Sequence, residues 1–265
     1  MAVTVRTTGE IAEKQKALRI VLYGPERSGK TSFAGTFPAP IIIIPQLCES
    51  EVTVLGDIDV PCITYGTLQE AVEVCEFLEK EAKNGFKKTG GFLTVIVDNM
   101  TVAYQMWLDQ LEKNPSAKPT FNVWGEIHRY NLRMYRILHR LKDINIIWIA
   151  HDKEKVVQEH VGGKTLETRI GDFSVQGKAF TDIIAKTCML MHTEVIRTET
   201  KEMYRVWLKK HGIWKAGGWF PASQKAARAL DYMGLPKHKK PHYDILAKVL
   251  QLPTAAEQEG EFFKE

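Results

Sequence analysis

Between residues 18 and 37 a short β-branched run, Ile20-Val21-Leu22 ending in Tyr23, meets a glycine-bearing turn and then Thr31-Ser32-Phe33-Ala34, the start of a helix. Gly24 to Thr31 fit G-x-x-x-x-G-K-[ST], the P-loop pattern, in its required context of strand before and helix after. Gly24 and Gly29 let the backbone curl until successive N–H groups face one anion. The helix that follows adds its own unpaired N–H groups. Lys30 supplies a point charge for β- and γ-phosphates, and the Thr31 hydroxyl can hold Mg²⁺. The expected cradle is Gly24, Pro25, Glu26, Arg27, Ser28, Gly29, Lys30, Thr31 and Ser32.

A strand and helix of this kind need a sheet to sit in, and the chain is long enough to build one. Its 265 residues are 44% hydrophobic, ample for one large α/β domain. The longest apolar runs, Ile41–Pro45 and Ile144–Ala150, are strand-sized, so no membrane span is expected. Acidic and basic residues stand early (Glu10, Glu13, Lys14) and no signal-peptide core is visible, which points to the cytoplasm. Cys48, Cys62, Cys75 and Cys188 form no C-x-x-C pair and read as reduced, mostly buried small hydrophobes. The net charge is only +4, but residues 201–250 hold eleven Lys and Arg against three Asp and Glu. That imbalance suits an anionic partner or simply a solvated basic face.

Apolar spacing predicts strands over 17–23, 41–44, 61–65, 92–97 and 144–150, with helices over 30–37, 68–83, 102–112 and 123–142. Such alternation means parallel strands with right-handed crossovers. Arg129, Arg133, Arg136 and Arg140 form a stripe on the last of these helices, read first as a solvated face. Residues 152–174 look loop-like, and Gln176–Ala185 could be helical. Lys186–Arg197 and Met203–His211 look like a hairpin turning at 198–201, followed by short helices over 223–233 and 242–250. The expected organisation is a flexible arm (1–16), a core (17–235), a helical segment (236–252) and a disordered acidic tail (253–265).

Nucleotide hydrolysis also needs a carboxylate at the end of a neighbouring strand to orient the metal. Phe92 to Val97 followed by Asp98 has that form, so Asp98 is paired with Thr31 as a metal-holding residue; the other reading of Asp98 is a helix N-cap. Asn99 follows where many ATPases place Glu, so a water-polarising base must lie elsewhere. Glu49, with Glu51 beside it, follows the Ile41–Ile44 strand, which would lie next to the first strand if the topology resembles the RecA type, and Glu49 is the candidate base. His151 closes the 144–150 strand, either as a γ-phosphate sensor or as a strand-end cap.

The order of these parts resembles the RecA-like P-loop ATPases, and more narrowly the phage-encoded ATP-binding proteins of the single-strand annealing and recombination group. The carrying pieces are Leu22-Tyr23-Gly24-Pro25 with Gly29-Lys30-Thr31-Ser32-Phe33, Val95-Ile96-Val97-Asp98-Asn99, Trp124-Gly125, Ile149-Ala150-His151, and Gly177-Lys178-Ala179 leading to Asp182. The resemblance implies an α/β RecA-like core with a mostly parallel sheet, a C-terminal hairpin and short helices. It implies ATP and Mg²⁺ as cofactors, single-stranded DNA as partner, a homo-oligomeric ring or filament, a single-strand-binding protein as a further partner, and the cytoplasm of a bacterial host. It places DNA against 152–174, through Lys153, Lys155, Lys164 and Arg169, and against 112–122, through Lys113 and Lys118. Lys209, Lys210 and Lys215 would reach a neighbouring subunit's nucleotide. Three other functions stay open at this point: a small-molecule P-loop kinase, a nucleotide-gated loader with little turnover, and a GTPase. The last is disfavoured because no Asn-Lys-x-Asp is present.

Overall fold

The computed structural model describes residues 17–48, 60–113, 121–161, 164–175, 183–218, 231–234 and 240–264. Its centre is a sheet built on β1 (Arg19–Gly24), β2 (Pro40–Pro45), β3 (Cys62–Tyr65), β4 (Thr94–Val97), β5 (Asn145–Val161) and β7 (Met189–Arg197), which run parallel. β6 (Lys164–Phe173) pairs antiparallel with β5, β8 (Glu202–Trp207) and β9 (Gly217–Gly218) pair antiparallel with β7, and β10 (Tyr232–Gly234) pairs with β8. The order across the sheet is β10-β8-β7-β1-β5-β4-β2-β3.

Continuous apolar runs form these strands because the sheet is covered on both faces. Val21, Tyr23, Val95, Val97, Ile146 and Trp148 point to one face, against α2 (Leu68–Lys83), α3 (Met100–Glu112) and α4 (Phe121–Leu138). Ile20, Leu22, Ile42, Ile44, Ile96, Ile147 and Ile149 point to the other, against α1 (Lys30–Ala34) and α5 (Tyr243–Leu250). The Arg19 guanidinium ties the entry of β5 to this frame by donating to the carbonyls of Leu141 (2.7 Å) and Ile144. The arginine stripe of α4 is what its charge suggested. Arg133 pairs with Glu76, Arg140 with Glu79 and Arg129 with Glu126, all at the solvent edge of the α2/α4 layer.

Several expectations change. Residues 152–174 are not a loop. From Asp152↔Phe173 to Val161↔Lys164 they form ten antiparallel pairs, a two-stranded ribbon about 30 Å long at ordinary strand rise. The intervening Gly162-Gly163, outside the described residues, is the two-residue signal that marks a hairpin. β2 does not lie beside β1: β5 and β4 stand between them. α1 is five residues long, shorter than the expected 30–37. The tail expected to be disordered forms α6 (Ala255–Phe262), started by a Thr254/Glu257 capping box. It is docked, with Glu259 accepting the Ala39 N–H at 2.7 Å and Phe262 against Phe86. Tyr232 to Gly234 are strand instead of helix end, while 219–230 of the expected 223–233 helix lie outside the described residues. The hairpin turning at 198–201 is present, closed by Thr198 N–H to Lys201 O at 2.9 Å. The arm over 1–16, Glu49 with Glu51, Lys118 and the 176–182 stretch also fall outside the described residues.

Candidate nucleotide site

The strand order places three chain ends side by side at the carboxyl edge of the sheet. β1 delivers the Gly24–Thr31 loop, β4 delivers Asp98, and β5 between them delivers His151. Outside the carboxyl ends of parallel strands is where α/β sheets bind ligands.

The loop is curled as its glycines allow. Gly24 has φ 156°, Arg27 φ 56° and Gly29 φ 77°. A Cβ on Gly24 would stand 2.0 Å from Thr193 Oγ1 and 2.6 Å from the Thr193 carbonyl, so only glycine fits this approach to β7. Lys30 is 6% exposed, and its ammonium donates to the loop carbonyls of Gly24 (3.0 Å) and Pro25 (2.5 Å) and to Ser28 Oγ (3.4 Å). Pro25, Glu26 and Arg27 are exposed at the rim, Ser32 is exposed one turn into α1, and Ser28 is buried. The Thr31 hydroxyl donates to Asp98 Oδ2. The two groups expected to share a metal are therefore in contact, at the floor of the cradle.

Asn99 takes a part that the sequence did not assign. Its side-chain oxygen accepts the Val102 N–H, capping α3. That bond fixes the amide orientation, so its NH₂ faces His151 Nε2 at 3.3 Å. Nε2 is then the acceptor, and the His151 proton sits on Nδ1, which is 3.8 Å from Glu26 Oε1. Burial, and then the charge of Lys30, lower the His151 pKa, so the ring is neutral at pH 7. His151 is also tied to α3 by its own N–H, which donates to Thr101 Oγ1 at 2.9 Å. β5 runs on through His151 to Val161, so the residue closes no strand; it stands between Glu26 of the loop and Asn99, the residue after Asp98. With Glu49 outside the described residues, Glu26 is a carboxylate the structure does place next to His151.

The ribbon starts where His151 ends the sheet. At its root, Asp152 Oδ2 faces His192 Nε2 at 3.2 Å, and His192 Nδ1 faces His211 Nε2 at 2.9 Å. Trp214 stacks on His192 with centroids 4.5 Å apart. Burial and the neighbouring His192 hold His211 down at about 4. The chain Asp152–His192–His211 therefore joins the ribbon to β7 and to the segment after β8.

The predicted DNA-facing cations do not form one surface. Lys153 and Lys155 share a ribbon face with Asp172, and Lys155 is paired to it at 2.5 Å. Burial, and then Lys155, lower the Lys153 pKa. Arg169 is exposed on the opposite face, across from Val156, which is itself exposed. Lys164 is at the ribbon tip, opposite Val161. Of the residues expected to act in trans, Lys209 pairs with Asp231 at 2.9 Å, while Lys210 and Lys215 are exposed beyond β8. Lys113 is exposed at the end of α3.

The glycine cradle, a buried lysine aimed at loop carbonyls that an anion can replace, and a Thr31–Asp98 pair of hard oxygen donors fit a nucleoside triphosphate with Mg²⁺. Among the described residues no helix is long and apolar enough to cross a membrane. A search among functionally curated proteins finds no match. The family model for an AAA domain, AAA_24, matches residues 16–206, which span the loop, Asp98, His151, the ribbon and most of the β7–β8 hairpin. The chain belongs to this AAA-domain family and is a P-loop ATPase.

Proposed function

We propose that the protein binds and hydrolyses ATP with Mg²⁺ while engaging single-stranded DNA along the β5–β6 ribbon, as a homo-oligomeric ring or filament serving phage DNA recombination or strand annealing. A single-strand-binding protein is a natural further partner, and the cytoplasm of a bacterial host the natural place. The observation that carries this reading is continuity: one strand bears His151 beside the phosphate cradle and, from the next residue, becomes the ribbon. Movement at the phosphates has a short mechanical route to whatever the ribbon touches.

In this mechanism Lys30 and the loop N–H groups would hold the phosphates, and Thr31 and Asp98 would hold a metal ion, which when bound would neutralise charge on the terminal phosphoryl group. His151, neutral and oriented by Asn99, donates toward that phosphate or its attacking water. Glu49 remains proposed as base, with Glu26 as the carboxylate seen beside His151. Lys153 and Lys155 on one ribbon face, Lys164 at the tip and Arg169 on the other face would make phosphate contacts with DNA that wraps the ribbon, so binding should weaken as salt rises. Lys210 and Lys215, with Lys209, would face the neighbouring subunit.

The test is ATP hydrolysis with and without single-stranded DNA across a salt series. Stimulation by DNA that falls with salt, and is lost when Lys153, Lys155 and Arg169 are all changed to Glu, supports the reading. Equal hydrolysis with and without DNA, with no salt-sensitive binding, refutes it. Asn99 favours a second reading, because the residue after Asp98 caps a helix and offers no carboxylate. That reading is a nucleotide-gated loader with little turnover. It predicts DNA binding that depends on Mg-ATP and persists when hydrolysis is negligible.

A further inference from the structure

The P-loop's own residues do not explain how it keeps its curl once Lys30 leaves the carbonyls it now occupies. Any phosphate that draws the ammonium away strips Gly24 O, Pro25 O and Ser28 Oγ of a donor. Buried acceptors left bare are costly. A second donor stands behind the loop, on a strand about 165 residues away in sequence.

Thr193 on β7 is fully buried. Its Oγ1 lies 2.5 Å from Ser28 Oγ and 3.3 Å from the Tyr23 carbonyl, and Ser28 Oγ lies 2.7 Å from the Pro25 carbonyl. Each hydroxyl has one proton to give. With Lys30 on the Pro25 carbonyl, Ser28 can donate to Thr193, and Thr193 to Tyr23 O. With Lys30 gone, Ser28 donates to Pro25 O, and Thr193 donates to Ser28. The pair can therefore reverse and cover two of the acceptors that the lysine exposes, Pro25 O and Ser28 Oγ, with no heavy-atom movement. The Thr193 backbone adds a steric stop, since its carbonyl and hydroxyl fill the space where a side chain on Gly24 would go.

We infer that Thr193 is a positioning residue for the phosphate cradle: its hydroxyl, through Ser28, holds the loop in its curled form while Lys30 exchanges loop carbonyls for the phosphates of a nucleoside triphosphate. This rests on the P-loop reading above and adds a residue that lies outside the motif. Thr193 touches neither the nucleotide nor the metal. Its effect is on how cheaply the lysine is released.

The experiment uses the full chain and the variants Thr193→Val, which keeps the shape and removes the hydroxyl, Thr193→Ser, which keeps the hydroxyl, and Ser28→Ala. Mg-ATP affinity is measured by calorimetry at a temperature where circular dichroism shows each variant folded. Amide hydrogen exchange of residues 24–31 is followed without nucleotide. Thr193→Val should weaken Mg-ATP about tenfold, the scale of one lost buried hydrogen bond, and speed exchange in the loop. Thr193→Ser should stay within about threefold of the native chain. Ser28→Ala should weaken Mg-ATP at least as much as Thr193→Val, because it also takes a donor from Pro25 O, and the double variant should lose little more than Ser28→Ala alone, because both break the Ser28–Thr193 bond. Native affinity in Thr193→Val, a Ser variant as weak as the Val variant, or fully additive losses would each overturn the inference. If Thr193→Val does not fold, the Ser28→Ala loss and the Thr193→Ser rescue decide it. Native binding with an unaffected Val variant sinks only this inference; no Mg-ATP binding by the native chain sinks the P-loop reading and this inference together.

Discussion

Replacing Gly24 by alanine should disable the molecule through the fold before it disables any chemistry. The new methyl would fall 2.0 Å from Thr193 Oγ1, 2.6 Å from Thr193 O and 3.1 Å from Thr193 Cβ. The first contact can be relieved by a rotamer change, but the carbonyl is backbone of β7, paired with β8 at Thr193↔Val206, and cannot turn without distorting that strand. Overpacking of this kind costs about 1–3 kcal/mol. An alanine at φ 156° adds strain of about 1–3 kcal/mol more. Urea unfolding should therefore show a loss of about 2–6 kcal/mol. Adding Thr193→Ala to Gly24→Ala should return only part of it, because the carbonyl clash remains. Gly125→Ala on α4, where a methyl meets nothing within 4 Å, serves as the control and should gain about 0.5–1 kcal/mol. An unfolding midpoint for Gly24→Ala equal to that of the native chain, or full recovery in the double variant, would refute the steric argument.

Acid should weaken the fold from pH 6.5 downward. Burial, then the charges of Arg19 and Lys186, lower His139 to about 3, and burial with His192 lowers His211 to about 4. Both rings bind protons more readily when unfolded, so their contribution is complete above pH 6.5 and is lost as pH falls toward those values. For His139 this is at most about 2 kcal/mol at pH 5, before screening trims it. His139→Gln should flatten the stability profile between pH 6.5 and 4, and an unchanged slope would contradict the assignment. Removing residues 254–265 deletes the acceptor for the Ala39 N–H and the Phe86–Phe262 contact. The urea midpoint should fall by the equivalent of about 1–3 kcal/mol, and an unchanged midpoint would mean that α6 is not docked in solution. Arg133→Ala, despite its close approach to Glu76, should cost under about 1 kcal/mol by thermal unfolding, because the pair lies in water. A larger loss would mark the stripe as a buried interface.

The parts of the site that were legible in the sequence are those carried by one continuous stretch. Gly24 to Thr31 declare themselves by spacing, and Asp98 by closing an apolar strand. His151 could be placed at the carboxyl edge of the sheet, but its neighbours could not, because which strands adjoin is a property of the whole sheet. The same gap led to β2 being set beside β1. Ribbon residues 152–173 read as a loop because beyond its root, where Gly171 and Asp172 are buried, the hairpin leaves the sheet and lacks the apolar alternation that marks a half-buried strand. Val161-Gly162-Gly163-Lys164 was the available signal. The tail read as disordered for its glutamates, yet Thr254 and Glu257 form a capping box, and Glu259 is used as an acceptor by Ala39. Nothing local marks Thr193 or Asn99. Thr193 matters through the β1–β7 register, and Asn99 through a cap that turns its amide toward another strand's histidine.

The measurement closest to the heart of this account is calorimetric titration of Mg-ATP into the full chain, with EDTA as the metal-free arm and Lys30→Ala and Asp98→Asn alongside. The account predicts saturable binding by the native chain, loss of binding in Lys30→Ala, and for Asp98→Asn an affinity that no longer depends on magnesium. Binding that is absent from the native chain, or that neither substitution alters, would contradict it.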